Sequence, residues 1–199
     1  MPVITLSREM GSLGTTIARQ VADSLGYGFV WREVINRAAS RAGAPEVALA
    51  EIDDLGLLGV RPTFRQRRAY RDCVRQVIEE LAVQDDVVIV GRAGQVILRD
   101  TLNALHVRVV APLELRIQRT ASRQQIPIEA ARAQIEESDR TRRAYLRRAY
   151  YVDWNAIELY DLVISTRRLT VTAAADLIIR ALGRRADTPE ELPGKDIPS

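Results

Sequence analysis

Short apolar runs alternate along this chain with segments in which apolar residues recur at helical spacing. Residues 3–7 form a β-rich run, after which Ile17, Val21 and Leu25 recur every four positions, as on one face of a helix. The same alternation predicts further strands at residues 27–30, 87–90, 105–111 and 161–166. Strands that alternate with helices are typical of an α/β domain with a mainly parallel sheet, here of about five strands.

The segments between the strands carry helical patterns of different lengths. Helices are predicted at about residues 32–41, after Pro45, and at 64–83, 128–150 and 171–182, whereas residues 53–63 have the character of a loop. Residues 184–199 are polar and contain three prolines, which predicts a disordered tail. Residues 1–183 are therefore expected to form a single domain.

The composition excludes several classes of protein. With 199 residues, of which 47% are hydrophobic, the chain is long enough to fold around a core of its own. The single cysteine, Cys73, cannot form an internal disulfide, and no apolar run approaches the roughly 18 residues of a membrane helix. The N-terminal apolar run ends at Arg8, too early for a signal peptide. We therefore expect a cytoplasmic protein without a membrane partner.

Arginine supplies almost all of the positive charge. The chain contains 28 arginines and one lysine, Lys195, which lies in the predicted tail. An anion site in the folded body must therefore use arginine, backbone N–H groups and hydroxyl groups, and the planar guanidinium suits two phosphate oxygens. The net charge of +3 is small and the acidic residues are interspersed, so a nucleic-acid partner is not expected.

The first strand leads into a glycine-containing loop at residues 7–16, which precedes the first predicted helix. Such a loop places N–H groups and the positive end of a helix dipole against a phosphate. In the P-loop pattern G-x-x-x-x-G-K-[ST], Gly14 and Thr16 match, whereas Glu9 and Thr15 occupy the positions of the first glycine and the lysine. An ordinary turn between a strand and a helix is the alternative interpretation.

Arg92 lies between Gly91 and Gly94, directly after the predicted strand at residues 87–90. Ligands of open α/β sheets bind at the carboxyl ends of the strands, so an arginine here is placed to bind an anion. The two glycines favour a close approach of the backbone to another group. The alternative is that Arg92 caps a helix or pairs with an acidic residue.

Polar residues interrupt the apolar face of the helix predicted at residues 128–150. At ~100° per residue, Asp139 and Arg142 fall on the same face as Ile135 and Leu146. A buried charge is costly unless it is paired or solvated. Asp139 and Arg142 are therefore expected either to pair with each other inside the protein or to line a cleft.

Several of these segments, in the same order, resemble the cytidylate kinase-like family. The resemblance is carried by residues 4–9 with Gly11, Ser12 and Gly14, and by residues 27–35, 87–94, 105–119, 137–145 and 152–154. That family is similar to the bacterial cytidylate kinases among the P-loop nucleoside monophosphate kinases. The resemblance spans roughly residues 3–182.

The resemblance implies a three-layer P-loop NTPase fold with a mainly parallel sheet. It further implies a helical acceptor-binding insertion at about residues 32–62 and a lid region at about residues 120–145, with residues 120–127 as the lid loop. A homodimer is compatible with this interpretation.

The implied activity is transfer of the γ-phosphoryl group of ATP to a nucleoside monophosphate, with CMP or dCMP as the expected acceptor and Mg²⁺ as the expected metal. The acceptor phosphate is already anionic, so positioning and charge neutralisation suffice and no general base is required. The alternative is a non-catalytic nucleotide- or phosphate-binding protein of the same fold, which Glu9 and Thr15 favour.

The resemblance assigns roles to three groups of residues. The cations that stabilise the transferring group would be Arg8, Arg116, Arg119, Arg140 and Arg142. The ATP phosphates would bind at Gly11, Ser12, Gly14, Thr15 and Thr16, with Thr16 also at the metal. The acceptor nucleotide would contact Arg32, Gly91, Arg92, Gly94 and Asp139.

Overall fold

A computed structural model of the chain describes residues 2–43, 63–84 and 86–183. Its sheet has five strands, β1 (Val3–Arg8), β2 (Gly28–Val30), β3 (Val87–Val90), β4 (Ala104–Val110) and β5 (Leu162–Ser165). Their order is β2-β3-β1-β4-β5, and every neighbouring pair is parallel. The predicted parallel α/β sheet is confirmed.

The helices follow the predicted pattern closely in the described residues. They are α1 (Gly14–Leu25), α2 (Glu33–Arg41), α3 (Phe64–Val83), α4 (Gly94–Ile97), α5 (Leu113–Gln124), α6 (Ile128–Tyr150) and α7 (Val171–Leu182), with a 3₁₀ helix at Ile157–Leu159. The helix predicted after Pro45, nearly all of the loop at 53–63 and the tail at 184–199 lie outside the described residues.

Two apolar cores lie on opposite faces of the sheet, which gives the domain three layers. Successive residues of a strand point to opposite faces, so Val3 and Ile89 pack with α2 and α3, whereas Ile4 and Val88 pack with α1 and α7. The strand Val87–Val90 is buried along its length, as its continuous apolar sequence predicts. Of the helices in the described ranges, none is long and apolar enough to cross a membrane.

The central position of β1 creates the crevice in which a ligand would be expected. β1 lies between β3 and β4 and runs parallel to both, so the segments that follow β1 and β3 emerge at the same edge of the sheet. The chain leaves β1 through α1 toward β2 and later returns to β4 on the other side. Open α/β sheets bind ligands at such a switch point.

The loop predicted at residues 120–127 is wrong for residues 120–124, which are helical, whereas the lid role of this region stays a prediction. Helix α5 continues to Gln124, so only residues 125–127 separate it from α6. The helix continues because Thr120 and Ala121 lie on its buried face, and Ala121 packs in one cluster with residues of both helices. Apolar contact between α5 and α6 thus accompanies the extension of the helix to Gln124.

A buried ion pair connects α5 to α6. Both guanidinium nitrogens Nη1 and Nη2 of Arg116 bond the carboxylate of Asp139, at 3.2 and 2.9 Å. Both side chains are at most one-tenth exposed. Asp139 therefore does lie on the buried face of its helix, but its ion-pair partner is Arg116 on the neighbouring helix rather than Arg142 of its own.

We expect Asp139→Leu to lower the free energy of unfolding by about 3–5 kcal/mol, because it leaves the charge of Arg116 poorly compensated in the interior. The double variant Asp139→Leu with Arg116→Met should regain most of that loss. Urea denaturation checks both values.

The pair Arg132–Glu114 is a matched control, because it joins the same two helices at 2.8 Å but is 40% and 68% exposed. Glu114→Gln should cost less than about 1 kcal/mol. A double variant as unstable as Asp139→Leu alone would contradict the assignment of a buried pair.

Candidate functional site

A cavity of about 560 Å³ opens at the carboxyl ends of β1 and β3, between α3 and α6. Its lining contains eight arginines, namely Arg8, Arg32, Arg67, Arg68, Arg71, Arg92, Arg142 and Arg148. None of the lining residues in the described part of the chain is acidic. The arrangement suits an anion, because guanidinium groups bind phosphate oxygens through charge-assisted hydrogen bonds.

Aromatic rings hold three of these arginines in place. The guanidinium carbons of Arg8 and Arg32 lie 5.7 and 4.8 Å from the Trp31 ring centroid, and that of Arg92 lies 5.8 Å from the Tyr145 ring. A cation over an aromatic face is attracted by the ring quadrupole. The cavity therefore combines positive charge with flat apolar surface, which suits a ligand that has a phosphate and a ring.

The turn after β3 has an unusual backbone. Gly91, Arg92 and Ala93 all have positive φ, at 81°, 52° and 57°. The last two lack glycine's freedom, and such strain concentrates at functional sites. A Cβ on Gly91 would lie 2.8 Å from Nη1 of Arg8. The turn thus brings Arg8 against the backbone beside Arg92, and both side chains line the cavity.

The loop between β1 and α1 is a compact turn built on left-handed residues. Gly11 and Leu13 have φ of 79° and 66°. Ser12 is fully buried; its Oγ donates to the carbonyl of Glu9 at 2.8 Å and accepts from the amide of Gly14 at 3.4 Å. Thr166 Oγ1 donates to the carbonyl of Ser12 at 3.0 Å. Ser12 therefore shapes the loop from inside.

Thr15 and Thr16 occupy the first turn of α1, where N–H groups have no intrahelical partner and the helix dipole is positive. Thr15 is half-buried and Thr16 is exposed. Their amide and hydroxyl groups are thus available at the positive end of the helix dipole, and their contact with a nucleotide phosphate and its metal ion stays a prediction. The side-chain lysine amine of the usual pattern has no counterpart at residue 15.

Arg8 lies between the glycine loop and the cavity. Its Nε lies 3.4 Å from Thr15 Oγ1. A Cβ atom added to Gly14 would lie only 2.5 Å from the Cβ of Arg8. The same guanidinium lines the cavity. Arg8 is thus the described cation that contacts both the loop and the cavity wall, which places it where a charge could bridge two phosphate groups.

Glu9 has a structural explanation that its sequence position does not suggest. Its carboxylate lies 3.7 Å from Nη2 of Arg108 and 3.4 Å from Nε of Arg116, and it accepts a hydrogen bond from the amide of Ala111 at 3.1 Å. These contacts tie the start of the glycine loop to the end of β4 and to α5. The acid in place of glycine therefore anchors the loop.

Four of the seven arginines predicted for the site line the cavity, and three do not. Arg8, Arg32, Arg92 and Arg142 line the cavity. Arg116 is buried against Asp139, and Arg119 donates to Oγ1 and the carbonyl oxygen of Thr166, both at 2.9 Å. Arg140 is 76% exposed and pairs with Glu137. Arg116, Arg119, Arg140 and Asp139 are not among the residues that line the cavity.

Three buried residues that line the cavity are not among those to which the sequence assigns a role in the site. Ser7, Gln95 and Trp154 line the cavity, and Trp154 Nε1 donates to Ser7 Oγ at 2.9 Å. Ser7 is the last but one residue of β1, and Gln95 follows Gly94 at the start of α4. Their convergence depends on the packing of β1, α4 and the segment after α6, which periodicity does not specify.

Gly11→Ala should destabilise the protein more than Gly26→Ala. Both positions have positive φ, which costs a non-glycine residue about 1–2 kcal/mol. At Gly11 a Cβ would also lie 2.7 Å from the carbonyl oxygen of Arg116, whereas at Gly26 nothing lies within 4 Å. We expect Gly11→Ala alone to weaken ATP binding as well, measured by calorimetry beside urea denaturation. Equal losses of stability and unchanged ATP affinity would contradict this account of the loop.

Comparisons with known sequences agree with the geometry. The model of the cytidylate kinase-like family matches residues 3–168. A cytidylate kinase of Ignicoccus hospitalis is 30% identical over 183 residues, which cover 92% of this chain and 99% of that protein. A Corynebacterium glutamicum protein named uronate isomerase is 25% identical over 154 residues, which cover 77% of this chain but 29% of that longer protein.

Comparisons with solved structures support the fold. An uncharacterised protein from Eubacterium ventriosum has a TM-score of 0.74 at 20% identity, covering 93% of this chain and 100% of that one. A shikimate kinase from Acinetobacter baumannii has a TM-score of 0.53 at 19% identity, covering 92% and 93%. The fold is that of the P-loop kinases. With the family model matched over most of its length, the chain belongs to the cytidylate kinase-like family.

Proposed function

We propose that this protein transfers the γ-phosphoryl group of ATP to a nucleoside monophosphate, with CMP or dCMP as the acceptor. One observation carries the proposal: a cavity lined by eight arginines adjoins the glycine loop, with Arg8 in contact with both. The loop suits the phosphates of a donor nucleotide, and the cavity suits the phosphate and base of an acceptor.

Some residues of the site bind the substrates, and Arg8 stabilises charge on the transferring phosphoryl group. Gly11, Ser12, Gly14, Thr15 and Thr16 form the donor-phosphate loop. Arg92, beside Gly91 and Gly94, holds the acceptor phosphate, and Arg32 and Arg142 bind it from the facing walls. Arg8 stabilises the charge on the transferring group, because its guanidinium lies where donor and acceptor phosphates would meet.

The buried contacts of Arg116 and Arg119 lie outside the cavity and connect the elements that form the site. Arg116 and Asp139 connect α5 to α6, and Arg119 connects α5 to the loop after β5 through Thr166. We propose that these residues position the donor loop and α6 rather than contact phosphate. Movement of the region around residues 120–145 would then be movement of whole helices, since α5 and α6 are joined by residues 125–127 alone.

Thr15 and Thr16 place hydroxyl groups at the start of α1, where the metal-bound nucleotide would lie. These hydroxyl groups would hold a magnesium ion, which would supply positive charge to offset the charge on the phosphates. The acceptor phosphate is itself the nucleophile, so the chain needs to align the two substrates and exclude water rather than remove a proton. The cytoplasmic location and the homodimer remain predictions.

A coupled ADP-release assay with Mg-ATP across all common nucleoside monophosphates tests the proposal. We expect ADP release that depends on CMP or dCMP. Tight ATP binding with no ADP release for any monophosphate would instead support the non-catalytic alternative, for which Glu9 and Thr15 are the sequence arguments.

Arg92→Ala should weaken CMP binding about 10- to 100-fold, because it removes a charge-assisted bond of about 1.5–3 kcal/mol. Arg99→Ala is a suitable control. Arg92 precedes α4 and Arg99 follows it, but the Arg99 side chain is 67% exposed and pairs with Asp100 outside the cavity. Calorimetry measures both affinities. Equal affinities for the two variants would contradict the role of Arg92.

Arg8→Ala should lower kcat by about 10²–10³, with a smaller effect on the CMP dissociation constant, because charge on the transferring group is largest in the transition state. Arg8→Lys should recover part of the rate, since it restores the charge without the planar fork. Initial-rate kinetics at saturating ATP separate kcat from KM. A rise in KM alone would place Arg8 in ground-state binding.

A further inference from the structure

The carboxamide of Gln95 is a buried polar group in the wall of the cavity. The residue lies in the first turn of α4, is 2% exposed, and lines the cavity beside Gly91 and Ala93. Within the described residues its side chain makes one hydrogen bond, between Nε2 and the hydroxyl of Tyr160 at 3.3 Å. The amide oxygen is the remaining polar atom.

The hydrogen-bond chain behind Gln95 determines which way this amide points. The Tyr160 hydroxyl lies 3.0 Å from the carbonyl oxygen of Trp154, which can accept but not donate. A second contact of the hydroxyl, to Ser7 Oγ, is longer at 3.5 Å. In either contact the single proton of Tyr160 points away from Gln95.

Tyr160 therefore presents a lone pair to Gln95, and the side of the amide that can satisfy it is the NH₂ group. The amide oxygen is then directed to the cavity side, as an acceptor. This series of hydrogen bonds is held rigidly, because Tyr160 and Trp154 are buried. The guanidinium carbon of Arg108 lies over both rings, 5.5 Å from the Tyr160 centroid and 4.5 Å from the Trp154 centroid. Rotation of the amide by 180° would set its oxygen against the oxygen of Tyr160.

We infer that Gln95, held by Tyr160, is the residue that selects an acceptor base carrying an amino group. The inference rests on the proposed function and adds the determinant of base specificity. Cytosine offers an N4 amino donor to the amide oxygen, whereas uracil offers an O4 acceptor that this oxygen repels. A site built for one hydrogen-bond pattern rejects the opposite pattern strongly, because buried polar groups are left unpaired.

CMP and UMP test the inference, because they have nearly the same size and differ in the N4 amino group of cytosine against the O4 oxygen of uracil. Calorimetric dissociation constants for the wild-type protein should favour CMP by about 10- to 100-fold. Gln95→Leu removes the acceptor and should bring the ratio to within about threefold.

Tyr160→Phe is the decisive variant, because it keeps Gln95 and removes only the hydroxyl that orients it. The freed amide can present NH₂ to the O4 of uracil, so UMP should bind more tightly than in the wild type while CMP loses affinity. A merely structural role of Tyr160 would weaken both ligands equally and leave the ratio unchanged. Phe64→Ala, at the exposed rim of the cavity, is a control for altered packing that should keep the CMP preference.

The binding results distinguish failure of the inference from failure of the proposed function. Equal wild-type affinities for CMP and UMP, or an undiminished CMP preference in both variants, would overturn the inference and leave the proposed function intact. Absence of binding of either monophosphate to the wild type would overturn the proposed function together with the inference. If Tyr160→Phe does not fold, the ratio measured for Gln95→Leu decides between these outcomes.

Discussion

The carboxylate of Glu9 between Arg108 and Arg116 is the contact on which the geometry of the site depends. Arg116 in turn holds Asp139 of α6, and Arg108 packs over Trp154 and Tyr160. One row of alternating charges thus connects the glycine loop to β4, α5 and α6. Removing a single member would leave a charge unbalanced in the interior, so the loop and α6 are held in a common position.

This arrangement explains why so many arginines are compatible with a stable domain. The arginines near the sheet, such as Arg108 and Arg116, pair with acidic residues and hold neighbouring elements together. Those around the cavity, such as Arg32 and Arg92, lie over aromatic rings and face a space whose described lining contains no acid. Arginine side chains are therefore concentrated along the described wall of the cavity, on the side of the sheet where open α/β folds bind ligands.

Much of the fold could be predicted from the sequence, because strand and helix periods are local properties. The buried run Val87–Val90 and the stripe of Ile17, Val21 and Leu25 specify their elements without tertiary information. The loop predicted at residues 120–127 is wrong over residues 120–124, because contact with α6 extends α5, which is a tertiary effect. The position of Asp139 on a buried face was predictable from its spacing, but not its partner Arg116, which is 23 residues away on another helix.

The candidate site could be predicted in outline and not in detail. Glycines with an arginine after a strand mark the anion-binding edge, and Gly91 and Arg92 do line the cavity. The place of Ser7 and Gln95 in the cavity wall could not be predicted, because it depends on contacts with Trp154 and Tyr160 far along the chain. Glu9 looks like a defect in the loop pattern until its two arginine partners are known.

We propose that the glycine loop and the arginine-lined cavity together perform phosphoryl transfer. Incubation with ATP labelled at the γ-phosphate, Mg²⁺ and CMP, followed by chromatographic separation of products, tests it most directly. We expect the label to appear in CDP in an amount equal to the ADP formed. Label found only in inorganic phosphate at a rate independent of CMP, or label that stays in ATP, would contradict it.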